Sequence, residues 1–500
     1  MSELFAHLAL GFSVAFSLQN ALLAFLGCLV GTLIGVLPGV GPIATITMLL
    51  PVTFGLEPTG AIIMLAGIYY GAQYGGSTTA ILVNIPGEVT SVVTTLDGHA
   101  MARQGRAGAA LGVAAIGSFF AGTFATLVVA GLAIPLTRIA GLFSPADYFS
   151  LMVAGLGLAI ALARGSVARS LVMVLLGILL STVGQDLETG ADRMTFGWAP
   201  LAEGIDFAVL AMGVFGFAEV LRNLDVPEQQ GVANQAIGRV YPTRAELRQS
   251  AAPILRGTLV GAALGILPGN GAVLGPFASY TTEKKLAKDP RRFGRGAIEG
   301  VAGPESANNA GAQTSFIPLL ALGIPPNAVM ALMVGAMTIH GIVPGPLVMV
   351  KSPRLFWGII ASMWIGNLML LVINLPLVRL WVRFLDVPYR LMYPAILLFS
   401  CIGIYSVNNS PADVLMSAGF AVVGWALSKL EFETAPLLLG FVLGRLMEEN
   451  LRRALAISRG QLAAFVQRPL SGALLAVAVV VLAIAVLPSV RRGRQEVFTE

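Results

Sequence analysis

Eight stretches of this chain hold no Asp, Glu, Lys or Arg over lengths that suit a bilayer crossing: Leu4–Leu56, Pro58–Gly87, Ala107–Leu136, Gly257–Thr282, Ser306–Val350, Leu355–Val378, Leu391–Ala412 and Leu470–Val490. A helix needs about 20 apolar residues to cross the hydrocarbon core. Shorter candidates run through Ser170–Gln185, Phe207–Ala218, Val414–Ser428 and Thr434–Gly444. With only 11% charged residues and 56% hydrophobic ones, the chain cannot clothe a water-exposed surface. A soluble enzyme and a nucleic-acid binder are both excluded, since the basic residues behind the pI of 9.4 sit in short loops between apolar runs. The expectation is an all-α polytopic membrane protein with 11 to 14 membrane elements in a lipid bilayer. Its 58 glycines and 28 prolines interrupt the apolar runs, and broken backbone at that depth is tolerated only where protein or a water-filled cavity satisfies it. Cys28 and Cys401 lie in apolar runs and read as packing residues. Met1-Ser2-Glu3 supplies no basic region for a cleavable signal, so the spans themselves are expected to direct insertion.

The two halves resemble each other. Gly35-Val36-Leu37-Pro38-Gly39-Val40-Gly41 is answered by Gly265-Ile266-Leu267-Pro268-Gly269-Asn270-Gly271, and Asn84-Ile85-Pro86 by Gly323-Ile324-Pro325. Equivalent loops trade charge. The loop at Glu57 has no basic residue, whereas Glu283–Arg295 has Lys284, Lys285, Lys288, Arg291, Arg292 and Arg295; Arg164–Arg169 is basic, whereas Asn408–Asp413 is not. Lys and Arg collect on the cytoplasmic side, so the exchange favours inverted-topology repeats built on discontinuous helices or re-entrant hairpins. The division expected is an N-terminal segment (1–18), a first repeat (19–224), a linker (225–249), a second repeat (250–451) and an amphipathic segment with a last transmembrane helix (452–500). The side occupied by Glu448–Arg468 stays open, because its arginines and those beyond the last span cannot both be cytoplasmic.

Each Pro-Gly turn either kinks a helix or frees N–H groups at the start of the next one, where partial positive charge binds carboxylates. Their pairing in opposed halves favours a midplane site. The polar stretches Tyr69–Thr79 and Glu305–Ser315 are costly in apolar surroundings unless they pair, bind a solute or pack helices. Substrate carboxylates are therefore assigned to Gly39, Val40, Gly41, Tyr74, Ser77, Thr78, Thr79, Asn270, Gly271, Asn308, Thr314 and Ser315. A coupling ion, Na⁺ or H⁺, is assigned to Gly75, Gly76, Asn84, Glu305, Ser306 and Asn309, through carbonyls exposed around Gly75-Gly76 and Asn308-Asn309. Glu305 either balances that ion, carries a proton or faces a loop beside Glu299. Asp97-Gly98-His99 reads as a loop turn. No Walker A loop, nucleophile elbow or HExxH is present, and three scattered His have no ligand spacing. Neither an enzyme nor a resident metal beyond Na⁺ is expected, and no cofactor.

The LPGVGP turn at Leu37–Pro42, YGGSTTAILVNIPGE at Tyr74–Glu88, TLDGHAMARQGRAG at Thr95–Gly108 and ESANNA at Glu305–Ala310 closely resemble the large membrane subunit of the tripartite tricarboxylate transporters, the TctA family. That resemblance implies a secondary transporter of the bacterial inner membrane, with a small four-helix membrane subunit and a periplasmic solute-binding protein that delivers citrate or another carboxylate. It implies uptake driven by a Na⁺ or H⁺ gradient. A homo-oligomer is left open, and a passive pore for small organic anions is the alternative reading. Pro326, where glycine is common, and Asn270 depart from the family pattern, and they put substrate preference most in doubt.

Overall fold

The computed structural model describes residues 2–37, 41–163, 166–186, 188–224, 237–268, 271–384 and 393–487. Among them the only strands are a two-residue pair, Gly184–Gln185 against Asp192–Arg193. Six helices are long and apolar enough to cross a membrane: Leu18–Val36, Ala102–Ala140, Pro145–Leu162, Pro353–Asn374, Pro411–Lys429 and Pro469–Val486. Shorter apolar helices include Pro42–Thr53, Val167–Ser181 and Ala328–Ile339. The protein is an all-α, multi-pass membrane protein. On its outer helices Leu415, Val422, Val479 and Val480 are exposed, an apolar surface suited to acyl chains.

From the N-terminal end the main helices are α1 (Ser2–Ala15), α2 (Leu18–Val36), α3 (Pro42–Thr53), α4 (Pro58–Val83), α5 (Ala107–Ala140), α6 (Pro145–Leu162) and α7 (Val167–Ser181). They continue as α8 (Arg244–Gly265), α9 (Gly271–Leu286), α10 (Glu299–Thr314), α11 (Pro353–Asn374), α12 (Pro411–Lys429), α13 (Ala435–Ile457) and α14 (Pro469–Val486). Their ends follow local chemistry. Pro58 opens α4, with the Glu57 carboxylate accepting from the Gly60 N–H. Thr243 caps α8 with Glu246 in a reciprocal box, so α8 begins inside the stretch read as linker.

Glycine at every fourth position sets the core. Gly27, Gly31 and Gly35 of α2 abut the backbone of Met64, Ile68 and Ala72 of α4, so the two helices run parallel. In the same way Gly257, Gly261 and Gly265 of α8 abut Gly303, Ala307 and Gly311 of α10. A Cβ at any of these glycines would overlap a facing backbone carbonyl, which is the close approach that small residues permit between membrane helices. Two parallel neighbours need a chain that returns between them, and α3 and α9 are those return limbs.

Direction divides the central helices into two sets. α11 runs with α2, since Gly366 faces Cys28 and Asn374 bonds Thr32. α5 runs with α10, since Gly117 faces Ser306 and Ala121 and Ala125 pack on Ala310. Where α5 meets α11 they oppose: Asn367 donates to the Phe119 carbonyl and Trp364 to that of Thr123. Thus α2, α4 and α11 point one way, and α5, α8 and α10 the other. Outside this core, α7 packs in parallel on α13, and α12 packs on Phe207–Ala211 and the π-turn Met212–Phe217.

The two ends of the bundle differ. One end joins residues 97–106 to the start of α8 and to 283–299, through Arg106–Glu246 and a Gln104 bond to the Arg295 carbonyl; it holds the lysine- and arginine-rich loop. The opposite end holds Glu3 with Arg138, Asp147 with Arg468, and Arg452 with Asp186, Glu188 and Glu448. The segment whose side the charge count left open lies there. Its helix α13 continues unbroken to Ile457, and Arg445 and Arg453 pair with Glu449. Arg452 and Arg468 tie separate segments together at the end opposite the main basic cluster.

Asp97 is more than a turn residue. It is fully buried, and its Oδ1 accepts from the Gly296 and Ala297 N–H groups at 2.7 and 2.8 Å, while Tyr280 donates to Oδ2 at 3.0 Å. It fastens the π-turn after α4 to the start of α10. Asp97→Ala is expected to destabilise the detergent-solubilised protein by about 3 kcal/mol, because three donors lose a charged acceptor. Asp97→Asn, which keeps one acceptor oxygen, should cost about 1 kcal/mol; equal thermal melts for both variants and the parent would contradict this.

Candidate functional site

α4 and α10 cross near the middle of the core, and their polar stretches meet there. Ser77 of α4 and Thr94 donate to the two carboxylate oxygens of Glu305 on α10. One turn further along α10, Asn308 Nδ2 donates to Glu88 Oε1 at 3.1 Å, and the Thr90 hydroxyl donates to the same oxygen at 2.5 Å. Asn309 Nδ2 donates to Ser118 Oγ on α5 at 2.7 Å. Tyr74 donates to Asn367 Oδ1 on α11 at 3.1 Å. Apart from the local Thr90–Glu88 bond, each of these joins segments far apart in the sequence, so the cluster exists only once the helices have crossed.

The segment that carries Glu88 is shaped by the Asn84-Ile85-Pro86 motif. Asn84 ends α4 in the left-handed region at φ 62°, as Gly323 ends Phe316–Leu322 at φ 75°. Asn and Gly are the residues that tolerate this cap, and proline shortly beyond it stops the helix. Each chain then enters a new helical turn, capped at Glu88 in one case and at Asn327 in the other.

Beside the crossing is a cavity of about 20 Å³, bounded by Tyr74, Ser77, Thr78, Ser118 and Asn374 with four apolar residues. That is room for about one water molecule, a space far smaller than an organic acid. Asn374 Oδ1 is buried without a hydrogen-bond partner there.

The assigned residues divide as follows. Ser77, Tyr74, Thr78, Asn308, Asn309 and Glu305 come together at the crossing or its cavity. Thr79 donates to the Val36 carbonyl at the end of α2, and Ser315 donates to the Gly265 carbonyl at the end of α8; both brace the helix ends that precede the Pro-Gly turns. Gly41 is the N-cap of α3 without a side-chain cap bond, and Gly271 opens α9 against the Leu264 carbonyl. Thr314 and Ser306 return their hydroxyls to their own helix at Ala310 and Ala302. Gly39, Val40 and Asn270 lie outside the described residues.

One expectation is corrected. α4 passes through Gly75-Gly76, and α10 through Asn308-Asn309, as unbroken helix. Gly75 packs on Thr32 and Gly35, and Gly76 on Glu88 and Gly87. These glycines serve backbone contact, and their carbonyls are not released to an ion as a broken helix would release them. Asn84 is exposed at a helix end and not gathered into the cluster. The sequence reading missed Glu88, Thr90, Thr94, Ser118, Asn367 and Asn374. The Gly-xxx-Gly spacing in α2, α4 and α8 was the available signal, because it fixes which helix faces meet.

The profile of the Tripartite tricarboxylate transporter TctA family matches residues 21–439, which includes both polar stretches and both parallel helix pairs. The chain belongs to the TctA family. An uncharacterized 52.8 kDa protein in the TAR-I ttuC' 3'region of Agrobacterium vitis is 55% identical over 500 residues, the full length of both chains. A second A. vitis protein, uncharacterized and in the TAR-II ttuC' 3'region, is 58% identical over 240 residues, covering 48% of this chain and 99% of its own. No solved structure matches. Membership makes this TctA-family protein a membrane transporter subunit, consistent with its many apolar helices and with a polar cluster placed among them. Tripartite systems act with partner subunits, and the family name gives the substrate class in general terms.

Proposed function

We propose that the chain is the translocating subunit of a secondary transporter that imports a tricarboxylate or related carboxylate, using a Na⁺ or H⁺ gradient. A periplasmic solute-binding protein delivers the substrate, and a small four-helix subunit completes the membrane complex. The protein works in the bacterial inner membrane, with the loop of Lys284 to Arg295 in the cytoplasm. The observation that carries this reading is the buried polar cluster where α4 and α10 cross, built from neutral donors and two carboxylates between helices of opposed direction.

Inverted repeats would give the opposed directions of α2 against α8, α4 against α10 and α5 against α11, and they suit alternating access around a fixed central site. A cavity with room for about one water suits an occluded state, which must open to admit an organic acid. Carboxylates of the substrate are bound at the N-terminal ends of α3 and α9, next to Gly41 and Gly271, where unpaired N–H groups favour anions. Ser77, Thr78 and Asn308 add hydrogen bonds after the core opens.

The test is uptake of radiolabelled carboxylates by proteoliposomes holding the full complex, with imposed Na⁺ or proton gradients. Accumulation above the outside concentration, abolished when both gradients are collapsed, is expected. Equilibration without accumulation, insensitive to either gradient, would instead make the chain a passive pore.

A further inference from the structure

Glu88 sits in the short connection after α4, and it faces Glu305 across the junction of the two halves. Its Oε1 accepts from Thr90 and Asn308, and Glu305 accepts from Ser77 and Thr94. All four donors are neutral. Among the described residues no ion pair joins either carboxylate to a Lys, Arg or His.

Asn308 supplies an independent pointer to a ligand. It is 1% exposed, its amide N–H₂ is spent on Glu88, and its own Oδ1 has no hydrogen-bond partner. A buried amide oxygen without a donor, beside a carboxylate, is a costly arrangement that a cation relieves. Gln73 Oε1 reaches the same Thr90 hydroxyl at 3.3 Å, which adds another oxygen to the carboxylates, hydroxyls and the free Asn308 Oδ1. Oxygen donors suit hard cations.

The position itself does not require an acid. After Gly323-Ile324-Pro325 the corresponding turn is capped by Asn327, which accepts from the Met330 N–H and donates to Ser315. A neutral residue therefore serves the turn, and the carboxylate at Glu88 has another use.

We propose that Glu88 and Glu305 together form the cation site, each carboxylate taking one Na⁺ or one proton as the helices close over it. Two ionised carboxylates without counter-charge are costly to bury in apolar surroundings. Closure thus favours their neutralisation, and opening to water releases the charge. This deepens the transport reading and rests on it for its purpose, although the binding itself needs no substrate.

The experiment uses the purified full chain in detergent without carboxylate. Its melting temperature is followed against NaCl, with choline chloride holding ionic strength, and separately against pH between about 5 and 9 without Na⁺. The ionisable groups facing the pair are its own two carboxylates and the phenols of Tyr69 and Tyr74. Stabilisation by Na⁺ at fixed pH identifies Na⁺ as the occupant, and stabilisation by acid alone identifies the proton. Glu88→Gln and Glu305→Gln should each remove one bound charge from the response, and the double variant all of it. Asn308→Ala should weaken Na⁺ about tenfold. A parent protein indifferent to both Na⁺ and pH, or a Glu88→Gln variant with the full response, would overturn the site. If Glu88→Gln does not fold, Thr90→Val and Asn308→Ala keep the carboxylate, and unshifted midpoints in both would overturn it equally. The transport reading fails separately, if carboxylate uptake is absent while cation binding is intact.

Discussion

Gly261→Leu is expected to abolish the folded protein. Gly261 lies on α8 where it meets α10, and a Cβ there would sit 2.5 Å from Ala307 Cα and 2.6 Å from its carbonyl carbon. Both are backbone atoms, so no rotamer change can make room. The helices must separate, which breaks the neighbouring contacts of Gly257 with Gly303 and Gly265 with Gly311 as well. Overpacking of side chains costs about 1–3 kcal/mol, and a backbone collision at the centre of three successive contacts belongs at or above the upper end. Gly131→Leu is the control. Gly131 is exposed on α5 with open space around it, so leucine there should be tolerated or slightly stabilising through helix propensity. Monodisperse yield by fluorescence-detected gel filtration reads both; equal yields would refute the packing argument.

Arg256→Ala should be nearly as damaging, for an electrostatic reason. Arg256 on α8 holds Glu283 on α9 through two bonds, Nε to Oε1 at 2.7 Å and Nη2 to Oε2 at 2.6 Å. Glu283 is 3% exposed, while its partner keeps access to water. Removing the arginine strands a buried carboxylate, at a cost of about 3 kcal/mol. Replacing both partners, as Arg256→Met with Glu283→Leu, should recover most of that loss, since the pair itself contributes little over apolar packing. Thermal unfolding of the single and double variants measures the difference. A double variant as unstable as the single one would mean that the pair stabilises the hairpin beyond mutual neutralisation. Uptake adds a functional reading, because this bond spans the two limbs that frame the second Pro-Gly turn.

The residues differ in how much they disclosed on their own. Charge-free runs of about 20 residues marked the apolar helical elements, and the paired Ile-Pro motifs fell where helices end, because Asn84 and Gly323 adopt a left-handed backbone region that those residue types tolerate. Ser77, Asn308, Asn309 and Glu305 were legible as site candidates because polar atoms in an apolar run must be satisfied by something. Gly75-Gly76 misled for the same reason that it attracted notice. Glycine serves both helix breaks and helix contacts, and a single chain does not say which. Glu88 and Asp97 were unreadable, since each sits in a short connection whose neighbours come from helices about 200 residues away.

By itself the sequence determined the solvent of this protein, its proline-marked helix ends and its family, because those follow from local polarity, backbone preference and motif. Only the tertiary structure decided which carboxylates meet. Glu88, Glu305 and their neutral donors are brought together by the crossing of α4 and α10, and that crossing is set by glycine contacts between whole helices, which no local stretch of residues contains.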